Sequence, residues 1–167
     1  VGFLMDGILL LEKQKETNHY QIQSLPINSG VFCLKKDRFQ DVVWIGTDGQ
    51  GVYLYSNPLY SIKSMVLSNY TEKIERPVRA IYLDDERTFW VGTKGNGILK
   101  IYDYEFDKNI SDCRAEVLTT SNSALSSNAV YCFAKSHRNL LWIGDEEGLT
   151  YYSYREKRIK SIPIRIG

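Results

Sequence analysis

The chain reads as a succession of short apolar runs broken by polar, glycine-bearing segments. Val31-Phe32-Cys33-Leu34, Val42-Val43-Trp44-Ile45, Val78-Arg79-Ala80-Ile81-Tyr82-Leu83, Val130-Tyr131-Cys132-Phe133-Ala134 and Leu140-Leu141-Trp142-Ile143 are rich in β-branched and aromatic residues. None sustains a helical apolar period, so the pattern predicts an all-β fold. Where apolar residues stand at consecutive positions, as in Val42-Val43-Trp44-Ile45, both faces of the strand need cover.

The runs recur in register. Trp44-Ile45-Gly46-Thr47 returns as Trp90-Val91-Gly92-Thr93 and as Trp142-Ile143-Gly144-Asp145, at spacings of 46 and 52 residues. After each tryptophan come a glycine-bearing turn and a second apolar strand: Gly49-Gln50-Gly51-Val52-Tyr53-Leu54-Tyr55, Gly95-Asn96-Gly97-Ile98-Leu99, and Gly148-Leu149-Thr150-Tyr151-Tyr152. Before each comes the run opening at Val31, Val78 or Val130, and a further segment closes each unit: Ile62-Lys63-Ser64-Met65-Val66, Ala115-Glu116-Val117-Leu118 and Ile159-Lys160-Ser161-Ile162. Gly2, Gly7, Ile8-Leu9-Leu10-Leu11 and Tyr20-Gln21-Ile22 fit the end of a preceding unit.

Four short antiparallel strands per unit, covered on both faces by like neighbours, make the blade of a β-propeller. The expected layout is a partial blade over 1–29 and blades over 30–76, 77–127 and 128–167, all within one propeller fragment. Trp44, Trp90 and Trp142 are expected to be buried between blades, with Gly46, Gly51, Gly92, Gly97, Gly144 and Gly148 as structural residues. Closure takes 4 to 8 blades, and about three and a half are present here, so the ring calls for further blades from a longer protein or for association of copies.

Composition narrows the partners. The chain is 43% hydrophobic and 25% charged, which fits a folded domain, and its formal net charge of +1 offers no global field for nucleic acid or an anionic membrane. No apolar run approaches the roughly 20 residues of a membrane-spanning helix. No signal-peptide pattern is seen, and the first residue is Val1, as in a piece of something longer. Three cysteines make no disulfide framework, so Cys33 and Cys132, at equivalent sites of separate units, are expected as reduced inner-strand thiols.

The unit running from Leu125-Ser126-Ser127-Asn128-Ala129-Val130-Tyr131 through Leu141-Trp142-Ile143-Gly144-Asp145 to Gly148-Leu149-Thr150-Tyr151 resembles the two-component regulator propeller repeat. One partial and three complete copies cover essentially the whole chain. Two departures stand out: Asp145 replaces the threonine found at Thr47 and Thr93, and Asp84-Asp85-Glu86-Arg87 replaces the usual glycine-bearing hairpin. The resemblance implies the periplasmic sensor region of a Bacteroidetes hybrid histidine kinase, in which propellers precede a β-sandwich, a membrane helix and the kinase. It further implies an oligosaccharide ligand, while the unclosed ring itself calls for neighbouring blades of the same protein as partners or for a homodimer.

In a propeller, the loops joining the second to the third strand of a blade share one rim with those entering the next innermost strand. Here these are Asp48-Gly49-Gln50, Lys94-Gly95-Asn96 and Asp145-Glu146-Glu147, with Asn28-Ser29, Arg76-Pro77 and Ser127-Asn128. Asp48, Gln50, Arg76, Lys94, Asn96, Asn128, Asp145 and Glu146, near Tyr82 or Tyr131, supply the polar groups and ring faces that a sugar needs. The same residue types also serve as ordinary turn formers.

No catalytic residue, metal site or cofactor is expected. Asp84-Asp85-Glu86 and Asp145-Glu146-Glu147 lack the spaced ligands of a calcium loop and read as solvated hairpin turns. There is no G-x-S-x-G motif, and His137 sits in a hairpin on the opposite rim. Lys35-Lys36-Asp37-Arg38 and Arg155-Glu156-Lys157-Arg158 are basic clusters without a groove-reading helix. Asn69-Tyr70-Thr71 and Asn109-Ile110-Ser111 match the glycosylation sequon, which is silent in a bacterial periplasm. The leading expectation is a non-catalytic sensor segment. A glycan-active propeller enzyme and a protein-interaction propeller are the alternatives.

Overall fold

The computed structural model describes residues 1–3, 5, 7–59, 61–65, 76–108 and 112–162, and no α-helix occurs among them. Both sequons lie outside the described residues. The described strands fall into four antiparallel sheets. β1 (Leu9–Lys13) pairs with β2 (Tyr20–Ser24), and a bridge between Gly2 and Ile8 adds to that pair. The first full quartet is β3 (Val31–Lys36), β4 (Val42–Thr47), β5 (Val52–Ser56) and β6 (Ser61–Met65). The second is β7 (Val78–Leu83), β8 (Thr88–Thr93), β9 (Ile98–Tyr102) and β10 (Ala115–Leu118). The third is β11 (Val130–Ser136), β12 (Leu140–Asp145), β13 (Gly148–Ser153) and β14 (Arg158–Ser161).

Each quartet pairs strictly in chain order, the meander of a propeller blade. Innermost strand β7 touches both β3 and β11, so the three blades splay around a common axis with the ring open. This is the all-β propeller fragment that the repeat predicts.

The core is not one mass but three layers, one in each space between sheets. Ile8, Leu25 and Ile27 meet Val31, Ile45 and Tyr55 between the N-terminal pair and the first blade. Val42, Trp44 and Leu54 meet Phe89, Val91, Leu99 and Tyr104 between the first and second. Trp90 and Ile98 meet Leu141, Ile143, Tyr152 and Tyr154 between the second and third. Strand residues of alternating direction thus face opposite neighbours, which is why the runs are apolar at consecutive positions.

The tryptophans anchor these layers. Trp44 stacks on Phe89 at 3.7 Å between ring centroids and meets Tyr104 edge-on at 5.2 Å. Trp90 meets Tyr152 edge-on at 4.8 Å. Both are essentially inaccessible to solvent, at 1% and 0% exposure. Trp142 departs from the expected burial: it is only half-buried and packs edge-on against Tyr151 of its own blade. The cause is positional, because the covering rings of the other two come from the following blade and no sheet among the described residues packs on this face. Cys132 is exposed for the same reason, whereas its equivalent Cys33 lies close to Val78 of the next blade. Cys33 and Cys132 are free thiols, as expected.

The glycine following each tryptophan pair has a structural role of its own. A Cβ on Gly92 would lie 2.9 Å from Val130 Cγ1 and 3.2 Å from Phe133 of the next blade. Gly46 faces Val78 in the same way. These positions let β4 and β8 lie close against the innermost strand of the next blade, whereas Gly97, at φ 72°, serves the turn itself.

Candidate functional site

The rim predicted from sequence assembles through backbone bonds between the two loop types. In the first blade, Asp48 N donates to Gly30 O at 2.9 Å, Ser29 Oγ donates to Asp48 O at 2.9 Å, and Gln50 Nε2 donates to Asn28 O at 3.4 Å. In the second, Lys94 N donates to Pro77 O at 2.9 Å. In the third, Glu146 N donates to Ala129 O at 3.0 Å. One clip spans two blades: Asn128 O accepts from both Gly95 N and Gly97 N at 2.9 Å. The Asn128 side chain accepts from Thr120 N at 2.9 Å.

The departure at Asp145 has a simple explanation. Thr47 and Thr93 close their turns by donating a hydroxyl to Gly51 O and Gly97 O, at 2.7 and 2.9 Å. Asp145 closes the shorter third turn from the acceptor side, taking Glu147 N at 3.0 Å and Gly148 N at 3.1 Å. It also receives Ser126 Oγ and is 8% exposed. Asp145 is therefore a buried turn-closing carboxylate, not the solvated turn residue expected from sequence. Asp48, Gln50, Arg76, Lys94 and Glu146 are exposed, and Asn96 and Asn128 are half-buried. Asn96 Oδ1 is buried without a hydrogen-bond partner among the described residues.

At this same rim, pairing reveals three residues that the sequence analysis did not group. Each innermost strand carries a β-bulge in the equivalent place, between Val31 and Cys33, Val78 and Ala80, and Val130 and Cys132. The extra residues are Phe32, Arg79 and Tyr131. A bulge leaves one residue outside the ladder and re-aims its side chain. The Arg79 guanidinium lies 3.8 Å from the Phe32 ring centroid. Its Nε is buried with no hydrogen-bond partner, and no carboxylate pairs with it among the described residues. Tyr131 is 40% exposed.

The opposite rim is organised differently. Asp85, in the β7–β8 hairpin, takes an ion pair from Arg38 Nη2 of the preceding blade at 2.6 Å and another from Lys135 of the following one. Its neighbour Asp84 corrects the solvated-turn expectation. At 2% exposure, it accepts Glu86 N and Thr88 N on Oδ1 at 2.9 and 2.8 Å, and Trp90 Nε1 on Oδ2 at 2.9 Å. Tyr154 Oη reaches the same Oδ2 at 3.2 Å, and burial followed by the Asp84 charge pushes that phenol well above the usual tyrosine range. No group of three His, Cys, Asp or Glu side chains suited to a metal ion is found among the described residues.

Between the outer strands of the second and third blades lies a side cleft of about 430 Å³, lined by Glu116, Asn122, Tyr152 and Arg158 among others. Lys100 sits nearby, 3% exposed, with Nζ 4.6 Å from the Trp90 ring and 4.5 Å from the Tyr152 ring. Burial lowers its pKa, but hydrogen bonding and charge from Tyr102, Tyr152 and Glu116 outweigh that and raise it. It is a held cation that pins two blades together.

No family model and no curated protein matches the chain. Solved structures do. The chain is similar to the extracellular domain of BT4673 from B. thetaiotaomicron, assigned to a one-component or hybrid two-component system, with a TM-score of 0.66, 18% identity and 90% of this chain covered. It is similar to the extracellular domain of BT3049, assigned to a hybrid two-component system of the same organism, with a TM-score of 0.63, 21% identity and 92% covered. It is also similar to PorZ, a surface component of the type-IX secretion system of Porphyromonas gingivalis, with a TM-score of 0.63, 19% identity and 89% covered. The chain spans only about a fifth of each, between 19% and 22% of their lengths. The repeat that the sequence resembles and the solved structures agree in fold, and the chain is a run of β-propeller blades like those of these extracellular domains.

Proposed function

We propose that this chain is a non-catalytic segment of an extracytoplasmic sensor, lying in the periplasm, that binds an oligosaccharide and passes the resulting conformational bias to a histidine kinase in the same hybrid two-component protein. The observation that carries this reading is the rim. Blade loops hold Asp48, Gln50, Arg76, Lys94, Asn96, Asn128 and Glu146 on one edge, beside ring faces on the innermost strands. Hydroxyl-rich ligands need paired donors and acceptors, and sugar C–H faces need aromatic surface. The likeness to extracellular domains of two-component systems supports the same reading.

The experiment is a calorimetric titration of the full propeller region with oligosaccharide mixtures, beside variants Arg76→Ala, Asn96→Ala and Asn128→Ala. Binding weakened by at least one substitution supports the proposal. Turnover of a glycan would defeat the non-catalytic part, and binding untouched by all three would move the site elsewhere.

A second reading has one observation in its favour. The likeness to PorZ, a secretion-system component, equals that to BT3049 in TM-score, so the blades also suit a propeller that works by holding protein partners. Finding the propeller region in a stable complex with a second protein, with no saccharide response, would favour it.

A further inference from the structure

We infer that the bulge arc Phe32–Arg79–Tyr131 is a subsite for the oxyanion of an acidic sugar, a carboxylate or sulfate, with Arg79 as the recognising group. The inference rests on the proposed saccharide-binding reading and specifies its chemistry.

Three observations converge on it. First, the three side chains occupy the same bulge position on consecutive innermost strands, at the rim end where β3, β7 and β11 begin. A repeated bulge places one side chain per blade at the mouth of the axis. Second, Arg79 has no acid to answer it among the described residues. Its guanidinium is held against Phe32 while its Nε is buried without an acceptor, which is costly unless a ligand completes it. The planar fork matches a carboxylate or sulfate bidentately. Third, the charges of the two rims are handled differently. On the far rim Asp85 is paired on both sides, by Arg38 and Lys135. On this rim Arg79 and Lys94 of the second blade, and Arg76 just before it, have no carboxylate partner among the described residues.

The flanking groups complete the chemistry. Phe32 and Tyr131 stand on either side of Arg79 in the order of blades, offering ring faces to a pyranose. Asp48 and Glu146, on the loops of the outer two blades, are placed for sugar hydroxyls instead of the oxyanion. A cationic centre with aromatic flanks and acidic outer edges suits a sugar residue bearing one negative group.

The test is a titration of the full propeller region with four probes: digalacturonate, glucose 6-sulfate, and their uncharged counterparts galactobiose and glucose. The expected result is binding of one or both charged probes at least about tenfold tighter than the matched neutral sugar. The two charged arms distinguish carboxylate from sulfate. Arg79→Gln should abolish that preference, and Arg79→Lys should restore only part of it, because an ammonium lacks the fork. Phe32→Leu, which leaves the charge in place, should weaken charged and neutral sugars alike. Unchanged thermal midpoints separate these effects from misfolding. Equal affinity for charged and neutral sugars, unaffected by Arg79→Gln, overturns the subsite while leaving saccharide binding intact. Acetate or sulfate binding as tightly as the acidic sugars overturns it as a saccharide site. Failure of every sugar to bind overturns both the subsite and the reading beneath it.

Discussion

The indole Nε1 of Trp90 donates a 2.9 Å hydrogen bond to Oδ2 of Asp84, a carboxylate with 2% exposure. The first blade repeats the arrangement, with Trp44 Nε1 on Asp37 Oδ2 at 2.9 Å. In both, the other carboxylate oxygen closes the hairpin by accepting backbone N–H groups, Phe39 and Gln40 for Asp37, Glu86 and Thr88 for Asp84. One side chain thus fixes the hairpin and the inter-blade tryptophan together. In the third blade Ser136 stands at this position, caps only Arg138 N at 3.2 Å, and leaves the Trp142 indole without such a partner.

Asp84→Ala should therefore lower unfolding free energy by about 3 kcal/mol or more, because several buried donors lose their carboxylate acceptor. Ser136→Ala should cost under about 1 kcal/mol. Urea midpoints at constant m-value check both, and equal effects would contradict the assigned role.

Gly92→Ala should destabilise by about 1–3 kcal/mol, since the added methyl meets Val130 and Phe133 of the next blade. Gly144→Ala should be milder, because its nearest neighbour is the side chain of the exposed Cys132. Thermal unfolding of the two variants side by side gives the comparison, and the reverse order would refute the packing assigned to these glycines.

Stability should fall at alkaline pH. Burial, reinforced by the charges of Cys113 and Asp107, pushes the Tyr104 phenol up to about 12, and Lys100 is also raised. An unfolded tyrosine releases its proton near 10, so the folded state holds protons that the unfolded state has lost. The contribution is complete below about pH 10 and disappears as pH rises through about 12. Urea midpoints measured across that interval should drop steeply, while a flat profile would contradict the burial of Tyr104.

The thiols should differ sharply in reactivity. Burial pushes the Cys33 thiol up to about 11, offset in part by a hydrogen bond from the Gly46 backbone, whereas Cys132 is exposed. In the native 167-residue chain, Ellman's reagent should modify Cys132 quickly and Cys33 only after unfolding. In a longer chain with a following blade, Cys132 should become protected as Cys33 is. Equal rates at the two sites would contradict the blade packing.

Blade number, strand order and the sharing of one rim by the two loop types were legible because they follow from period-two burial and a repeated Trp-x-Gly register. What stayed hidden depends on pairing. The bulges that set Phe32, Arg79 and Tyr131 apart arise from a one-residue mismatch between β3, β7 or β11 and its partner, which no single run displays. Asp84 and Asp145 look like turn acids, and only the closed hairpins show them buried. A sequence signal did exist for the first of these: an aspartate six or seven residues before Trp90 and Trp44, absent before Trp142. Trp142 and Cys132 differ from their equivalents through missing cover, which is a property of the neighbour and not of the repeat.

The most direct test of the account is amide hydrogen exchange across the full propeller region, with and without a saccharide that binds it, while the sugar is recovered and analysed. The account predicts added protection confined to the rim loops around 28–32, 48–50, 76–79, 94–97 and 127–131, with the sugar recovered intact. Protection at the far-rim hairpins around Asp85 and His137 or in the side cleft at Tyr152 and Arg158, or recovery of a cleaved sugar, would contradict it.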